Sequence, residues 1–600
     1  MNGWTGIVLR VNLSTNEVRK EPLDPVIAHD FIGGRGVGTK YLYDEINPKV
    51  DALGPDNKLI LATGPLTATL AVCSGRYMAI TKSPLTGAIA CSNSGGFFPH
   101  EMKFAGYDMI IIEGKSPKPV YIWIENDQVE IRPARHIWGE RTQALEEKIL
   151  SETDSEAKVL SIGPAGEKLS RVACIMNDTH RAAGRSGVGA VMGSKHLKAI
   201  AIRGTKSVTV AEPKEFRNAV LRAMKKIKES PGTGEGMPTY GTAGIVNIIN
   251  ENGLFPTRNF QEGVFDGASK ISGEAIHDNI LITNKACSGC MIACGRVSRS
   301  QNPKYEGFGE GPEYETVWSF GADCGIDNLD AIFKANLICN ELGMDTIAAG
   351  ATIGCAMEMA EKGIIPEKDI GMPLKFGDTD AMIALVEMMG LRKGFGDKLS
   401  DGAYRLAELY GHPEFFMGVK KQDFAAYDPR GAWGMGVQYA TSNRGACHVR
   451  GFTVNAEILG SPEKMDPFTT VGKAKYDIEC QDTVSVVDAV GICLFVTFGF
   501  GLEEIREMLN SATGIKYTPE SLIKVGERIW NIEKLFNLKA GLTRADDTLP
   551  KRILKEGLPG GPAKGKIVDL EPMLAEYYKL RGWDEQGVPM KKKLKELGLV

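Results

Sequence analysis

Through the first 210 residues the apolar positions fall in short runs. Leu59-Ile60-Leu61-Ala62, Met109-Ile110-Ile111-Ile112 and Val120-Tyr121-Ile122-Trp123-Ile124 are each set off by Gly, Pro, Ser or Asn. Runs of that length, rich in β-branched and aromatic side chains and bounded by turn formers, predict strands. Residues 1–210 are therefore expected to form a sheet-dominated domain. At Pro213 the pattern changes: Phe216, Val220, Ala223, Met224 and Ile227 recur at helical spacing in a charged segment, and mostly helical structure is expected to follow. A Pro/Gly-rich stretch at 230–244 reads as a loop, and with a softer region at 411–418 it marks places where the helical remainder divides. The expectation is an α+β chain with a β-rich domain (1–210) and two mostly helical domains (211–415 and 416–600). No repeat of 20 to 50 residues is evident, which argues against a solenoid or propeller.

Two further stretches are read from pattern alone. Residues 490–502 carry no charge and include three glycines; thirteen residues are far short of the ~20 that span a bilayer, so they read as buried core. Lys591, Lys592, Lys593 and Lys595 read as a solvated helix end.

Composition narrows the class. At 43% hydrophobic and 24% charged residues the chain is an ordinary folded protein, and 600 residues call for two or more domains. A formal charge of -4 leaves no broad basic field for nucleic acid or an anionic membrane. The start, Met1 to Val11, has neither a cationic lead nor a long apolar centre, so the expected location is the cytoplasm. Twelve cysteines are too sparse for a disulfide framework.

Three of those cysteines are clustered. Cys287-Ser288-Gly289-Cys290-Met291-Ile292-Ala293-Cys294 can direct three thiolates at one inorganic centre. A 4Fe–4S cubane needs a fourth ligand, often recruited from far along the chain; the same soft thiolates also suit zinc. Cys493, in Asp488-Ala489-Val490-Gly491-Ile492-Cys493, stands out among the remaining cysteines.

The glycine-rich segments carry a second signal. Gly33-Gly34-Arg35-Gly36-Val37-Gly38-Thr39-Lys40 has its lysine and hydroxyl in the wrong order for a phosphate loop. It also lacks the buried strand and acidic residue of a dinucleotide site. In Arg181-Ala182-Ala183-Gly184-Arg185-Ser186-Gly187, by contrast, two arginines flank glycines that let backbone N–H groups approach an anion. Asn93-Ser94-Gly95-Gly96, preceded by Arg76, has the same character. A glycine-rich turn with surface arginines reads equally well on either.

Taken together, seven motifs in order resemble the tungsten-containing aldehyde ferredoxin oxidoreductases nearly end to end. They are the opening Gly3-Trp4-Thr5-Gly6, the Ser92–Gly96 segment, the Ala183–Lys195 segment and the cysteine cluster, followed by Gly311-Pro312-Glu313-Tyr314-Glu315, Leu342-Gly343-Met344-Asp345 and Asn443-Arg444-Gly445-Ala446-Cys447-His448-Val449-Arg450. The resemblance implies a saddle of two β-sheets beneath a tungsten held by two pterin dithiolenes, closed by two helical domains, with Mg2+ bridging the pterin phosphates.

Residue by residue, the resemblance implies that Arg76, Asn93, Gly95, Arg181, Ala182, Gly184 and Arg185 contact the pterins from the first domain. Asn340, Gly343, Asp345, Arg450, Asp488 and Gly491 would contact them from the other side, and Cys493 would complete the 4Fe–4S cluster with Cys287, Cys290 and Cys294. Glu315 would be the general base, with Glu313 as its alternative, and His448 the donor to the substrate oxygen. The chain departs from the family pattern at Asn340, where Asp is usual, and at Arg450, where Lys is common. Lys334 stands where one branch has a Glu that binds iron between subunits, which argues against that iron. The implied activity is oxidation of aldehydes to carboxylic acids, with electrons passing to ferredoxin or an iron–sulfur subunit, with or without a flavoprotein, in an oligomeric assembly. An aromatic acyl-thioester reductase subunit and a non-catalytic iron–sulfur protein are the alternatives.

Overall fold

The computed structural model describes all 600 residues. Twelve strands form two six-stranded sheets. The first contains β1 (Ile7–Asn12), β2 (Glu17–Pro22), β3 (Leu59–Thr63), β4 (Tyr77–Lys82), β5 (Ile89–Ser94) and β6 (Met109–Glu113), in the order β2-β1-β6-β3-β4-β5. The second contains β7 (Val120–Glu125), β8 (Gln128–Pro133), β9 (Lys158–Ser161), β10 (Ile175–Asn177), β11 (Arg181–Ala183) and β12 (Leu197–Arg203), in the order β8-β7-β12-β9-β10-β11. Adding six to each label of the first sheet gives the second. The parallel pairs match as well, β1 with β6 and β7 with β12, all others being antiparallel. The sheet region thus repeats one topology twice.

Residue alternation explains how the sheets are buried. Leu59, Leu61, Ile110 and Ile112 of the first sheet share a core with Ile122, Ile124, Ile200 and Ile202 of the second. The alternate residues Ile60, Met109 and Ile111 pack instead with helical side chains that include Val486, Ile529 and Ile532. On the far side Tyr121, Trp123, Ala199 and Ala201 pack on Leu145 and Ile149 of the helix Thr142–Glu152. Strands covered on both faces read as continuous apolar runs rather than alternating ones, which is the pattern seen in the sequence.

Mostly helical structure follows residue 210, as the period predicts. The helix Pro213–Glu229 buries Phe216, Val220, Ala223 and Ile227, with Met224 half-buried. It packs on the helix Leu502–Thr513, in the core shared by the first sheet and the C-terminal helices, and also touches the turns that follow it. Three sequence readings are corrected here. Residues 230–244 are not an open loop: Pro231 begins a run of helical turns, Pro231–Gly236, Met237–Tyr240 and Thr242–Ile245, anchored by the Thr233 hydroxyl donating to the Ile227 carbonyl at 2.7 Å. Residues 490–502 are only partly core, because Leu494, Phe495, Thr497 and Phe498 are half-buried, with Phe495 lining a pocket. The lysine-rich terminus is a helix, Lys591–Glu596, but Lys593 is held 2.9 Å from Glu527 instead of being freely solvated. No helix is long and apolar enough to cross a membrane.

The two halves of the sheet region meet the helices in the same way, through Gly64 after β3 and Gly163 after β9. A Cβ on Gly163 would fall inside the backbone of Leu342, and one on Gly64 inside that of Val490. Gly163 has an ordinary φ of -81°, so Gly163→Ala tests packing alone. Overpacking of this kind costs roughly 1–3 kcal/mol, and differential scanning calorimetry is expected to show a lower thermal midpoint; an unchanged midpoint would mean that the helix end shifts freely.

Candidate functional site

The site begins at those two junctions. The helices Leu329–Leu342 and Lys473–Val490 both end on a glycine in the left-handed region, Gly343 at φ +73° and Gly491 at φ +88°. A side chain at either position would be strained and would also meet the sheet glycine, 2.8 Å from Gly163 N and 2.9 Å from Gly64 N respectively. Two residues further on, the chain is pinned identically. The Asp345 N–H donates to the Val172 carbonyl and the Cys493 N–H to the Cys73 carbonyl, each at 2.9 Å. The shared spacing of Asn340-x-x-Gly343-x-Asp345 and Asp488-x-x-Gly491-x-Cys493 is therefore one structural device used once on each half of the sheet region.

On one side the device delivers Cys493 to a pocket lined by Cys287, Cys290 and Cys294, which lie in the connection between the strands Leu281–Lys285 and Gly295–Ser300. A fifth thiol, Cys73, lines the same pocket with its Sγ 3.6 Å from that of Cys290. Arg76 donates through Nη2 to Cys493 Sγ at 2.7 Å and through Nη1 to Asn93 Oδ1 at 3.2 Å. Burial works against the charge on Arg76, but Cys493 and Cys287 outweigh it and raise its pKa. A Cβ on Gly95 would sit 2.6 Å from Cys287 Sγ, so only glycine fits there. The sulfurs ring a cavity bordered by Arg76 and Arg181 rather than converging on one point. A thiol-lined cavity with two guanidinium groups suits an anionic iron–sulfur cluster.

A cleft of about 290 Å³ adjoins this pocket and shares Arg76, Arg181, Cys294 and Phe495 with it. Ser94, Gly95, Ala182 and Gly184 line it from the sheet region; Glu313, Asn336, Asn340, Asp345 and Thr346 line it from the helical part. Glycines on one wall, where a side chain would narrow the cleft, and polar helix ends on the other fit an anionic, hydrogen-bonding cofactor.

Two buried ion-pair groups flank these cavities. Arg185 Nε lies 3.2 Å from Asp345 Oδ2, whose other oxygen caps the helix Thr346–Glu361 through the Ile347 N–H at 3.1 Å. Burial raises the Asp345 pKa, against the pull of Arg185. On the other side Arg450 Nη1 lies 2.6 Å from Asp488 Oδ2, Asn93 Nδ2 donates to Asp488 Oδ1 at 3.1 Å, and Arg35 stands 3.5 Å away while gripping Glu533 bidentately at 2.7 Å.

Glu315 and Glu313 face different surroundings. Glu313 accepts from the Thr242 hydroxyl at 2.6 Å and lines the cleft. Glu315 accepts from the Ala426 N–H at 3.0 Å, and its other oxygen lies 3.6 Å from His448 Nε2, too long for a hydrogen bond. Burial pushes the Glu315 carboxyl up to about 8. Burial, with Arg185 and Arg444, pushes His448 down to about 3, so the imidazole is neutral. His448 Nδ1, Glu315 Oε1, Arg444 Nε and both carboxylate oxygens of Asp423 are buried without hydrogen-bond partners. Such a concentration of unsatisfied groups suits a polar occupant.

Sequence reasoning missed several of these residues. Cys73 sits in Cys73-Ser74-Gly75-Arg76, where a thiol three residues before a recognised arginine was the available signal. Arg35 belongs to the glycine run weighed only as a nucleotide loop. Asp423 and Glu533 carry no local pattern. Lys334 is remote from the site, its Nζ donating to the Glu306 carbonyl at 3.1 Å on the exposed side of its helix.

The chain matches two family models, "Aldehyde ferredoxin oxidoreductase, N-terminal domain" over residues 8–204 and "Aldehyde ferredoxin oxidoreductase, domains 2 & 3" over residues 218–599. It is 52% identical over 604 residues to a tungsten-containing aldehyde ferredoxin oxidoreductase of Pyrococcus furiosus, covering 100% of this chain and 99% of that protein. A Thermococcus kodakarensis protein of the same name shows the same identity and coverage. Among solved structures, the active-site complex BamBC of benzoyl coenzyme A reductase superposes with a TM-score of 0.86 at 26% identity, covering 100% of this chain and 97% of that one.

Asp488→Ala should leave Arg450 buried without its partner, a loss that typically costs ~3–5 kcal/mol. Calorimetry is expected to show a much larger drop in thermal midpoint for Asp488→Ala than for Asp488→Asn, which keeps an acceptor; equal drops would assign the effect to shape instead of charge.

Proposed function

The chain belongs to the aldehyde ferredoxin oxidoreductase family, and from that premise we propose that it oxidises aldehydes to carboxylic acids at a tungsten bis-pterin centre. A 4Fe–4S cluster in the cysteine pocket would supply the path for electrons to a ferredoxin or an iron–sulfur partner subunit. The observation that carries this reading is the adjacency of the five-cysteine pocket and the glycine–arginine cleft, which share Arg76, Arg181, Cys294 and Phe495. Cys287, Cys290, Cys294 and Cys493 would hold the cluster. Arg76, Asn93, Gly95, Arg181, Ala182, Gly184 and Arg185 would hold the pterins from the sheet region. Asn340, Gly343, Asp345, Arg450, Asp488 and Gly491 would hold them from the helical part, and Mg2+ would offset the charge of the pterin phosphates. Cytoplasmic location and an oligomeric assembly without an interface iron at Lys334 belong to the same proposal.

The overall conversion is RCHO + H2O to RCOOH with two protons and two electrons released, and tungsten supplies the two-electron sink. The neutral His448 ring donates its N–H to the substrate oxygen and polarises the carbonyl. Glu315, 3.6 Å from it, accepts a proton. A carboxyl raised by burial to near the working pH suits that exchange. Tyr427 packs beside the His448 imidazole, with ring centroids 6.1 Å apart.

Four results test the reading. Anaerobically purified native protein should contain one tungsten and about four iron atoms per chain and should oxidise aldehydes; zinc alone would overturn it. Thioester reduction without aldehyde oxidation would favour the acyl-thioester alternative, whose fold relative is the benzoyl coenzyme A reductase complex. Glu315→Gln and His448→Ala are each expected to lower kcat by ~10²–10⁴-fold with metal content unchanged, and near-normal turnover in both would remove their assignment. Because Glu315 must be deprotonated to act as base, kcat should rise with pH to a plateau above about 8, and steady-state pH profiles should lack that limb in Glu315→Gln.

A further inference from the structure

Cys73 is not needed to complete the pocket. A 4Fe–4S cubane takes four protein ligands, one per iron, and Cys287, Cys290, Cys294 and Cys493 already supply them. Its Sγ lies 3.6 Å from Cys290 Sγ, so the two sulfurs crowd the same corner, where only one can ligate. Its position is nevertheless built. The Cys73 N–H donates to the Gly289 carbonyl at 2.7 Å, and its carbonyl accepts from the Cys493 N–H at 2.9 Å. Its backbone thus ties the loop bearing three ligands to the helix end bearing the fourth. The residue holds φ at +56°, a region that residues with a Cβ seldom occupy, and is 1% exposed.

We propose that the Cys73 thiol donates a hydrogen bond to the Cys290 sulfur and raises the reduction potential of the cluster, acting as a positioning residue and not as a fifth ligand. This rests on the reading of the pocket as a 4Fe–4S site. Reduction adds one negative charge, spread largely over the sulfurs. A donor to a ligating sulfur stabilises the reduced cluster more than the oxidised one. Arg76 stands in the same relation to Cys493, at 2.7 Å, so two of the four ligand sulfurs would carry donors, both from the connection between β3 and β4.

The test is an EPR-monitored redox titration of the anaerobic holoenzyme as wild type, Cys73→Ala and Cys73→Ser, with iron counted in each. All three should hold four iron per chain. Losing a hydrogen bond of ordinary strength changes an equilibrium roughly three- to tenfold. Cys73→Ala should therefore titrate at a lower potential, by up to about 59 mV for one electron at a tenfold change, and Cys73→Ser, which keeps a donor, should return towards wild type. An unchanged potential in Cys73→Ala with iron intact would overturn the proposal. Loss of iron in Cys73→Ala, or conversion to a 3Fe signal, would also overturn it by making Cys73 a ligand. A wild-type protein without iron would overturn the cluster reading itself.

Discussion

The structure depends on a contact that leaves no room for a side chain. Gly64 and Gly163 occupy matching places after β3 and β9, and each receives the end of a helix that turns on a left-handed glycine, Gly491 or Gly343. Backbone lies on backbone at both junctions. That closeness lets the residue two places beyond each helix end reach the sheet region, Cys493 beside Cys73 and Asp345 beside Val172. Any Cβ at these glycines would push the helical part away and separate the thiols of the pocket from one another.

Bringing backbone this close places charge where water is scarce. Arg185, Arg35 and Arg450 are buried, and each stands opposite a carboxylate from a distant part of the chain, Asp345, Glu533 or Asp488. Removing one partner of such a pair is far more costly than the pair's net worth, so Arg185–Asp345 and Arg35–Glu533 act as a registration device between the sheet region and the helices, while Arg450–Asp488 ties two helical segments together. The same dryness sets the protonation of Glu315 and His448. Burial disfavours the charged form of both, raising one pKa and lowering the other. With His448 neutral, no ion pair forms across the 3.6 Å to Glu315, and the carboxyl can lose or gain its proton without breaking one.

The repeated topology of the sheets clarifies why the site has two similar sides. The helix Gly34–Glu45 lies between β2 and β3, and the helix Thr142–Glu152 between β8 and β9. The loops after β3 and β9 then present their glycines to separate helix ends. The ion pairs do not repeat: Asp345 pairs with Arg185 of the sheet region, whereas Asp488, at the place of Asn340, pairs with Arg450 of the helical part and accepts from Asn93 of β5. Asymmetry also enters at the last position, where Cys493 faces the cysteine pocket and Asp345 faces Arg185.

Much of this was legible along the chain. The apolar runs announce the strands, because strands covered on both faces need no polar alternation, and the period from Pro213 announces the helices. The cysteine spacing and the glycine–arginine segments announce inorganic and anionic chemistry, since those residue types are required locally whatever the fold. Other features were not legible. The sheet duplication is hidden because topology is preserved by hydrogen-bond pairing while the side chains differ. The 230–244 segment reads as loop from its glycines but is helical once Pro231 and Thr233 anchor it on the preceding helix. Cys73, Arg35, Glu533 and Asp423 join the site only through contacts that cross hundreds of residues. The sequence by itself determined which chemical groups are present and which short segments carry them, because spacing and residue type are local properties. Only the tertiary structure decided which thiol stands fifth at the pocket, which of Glu313 and Glu315 faces His448, and which arginine meets which carboxylate, because burial and close approach exist only between segments that the fold brings together.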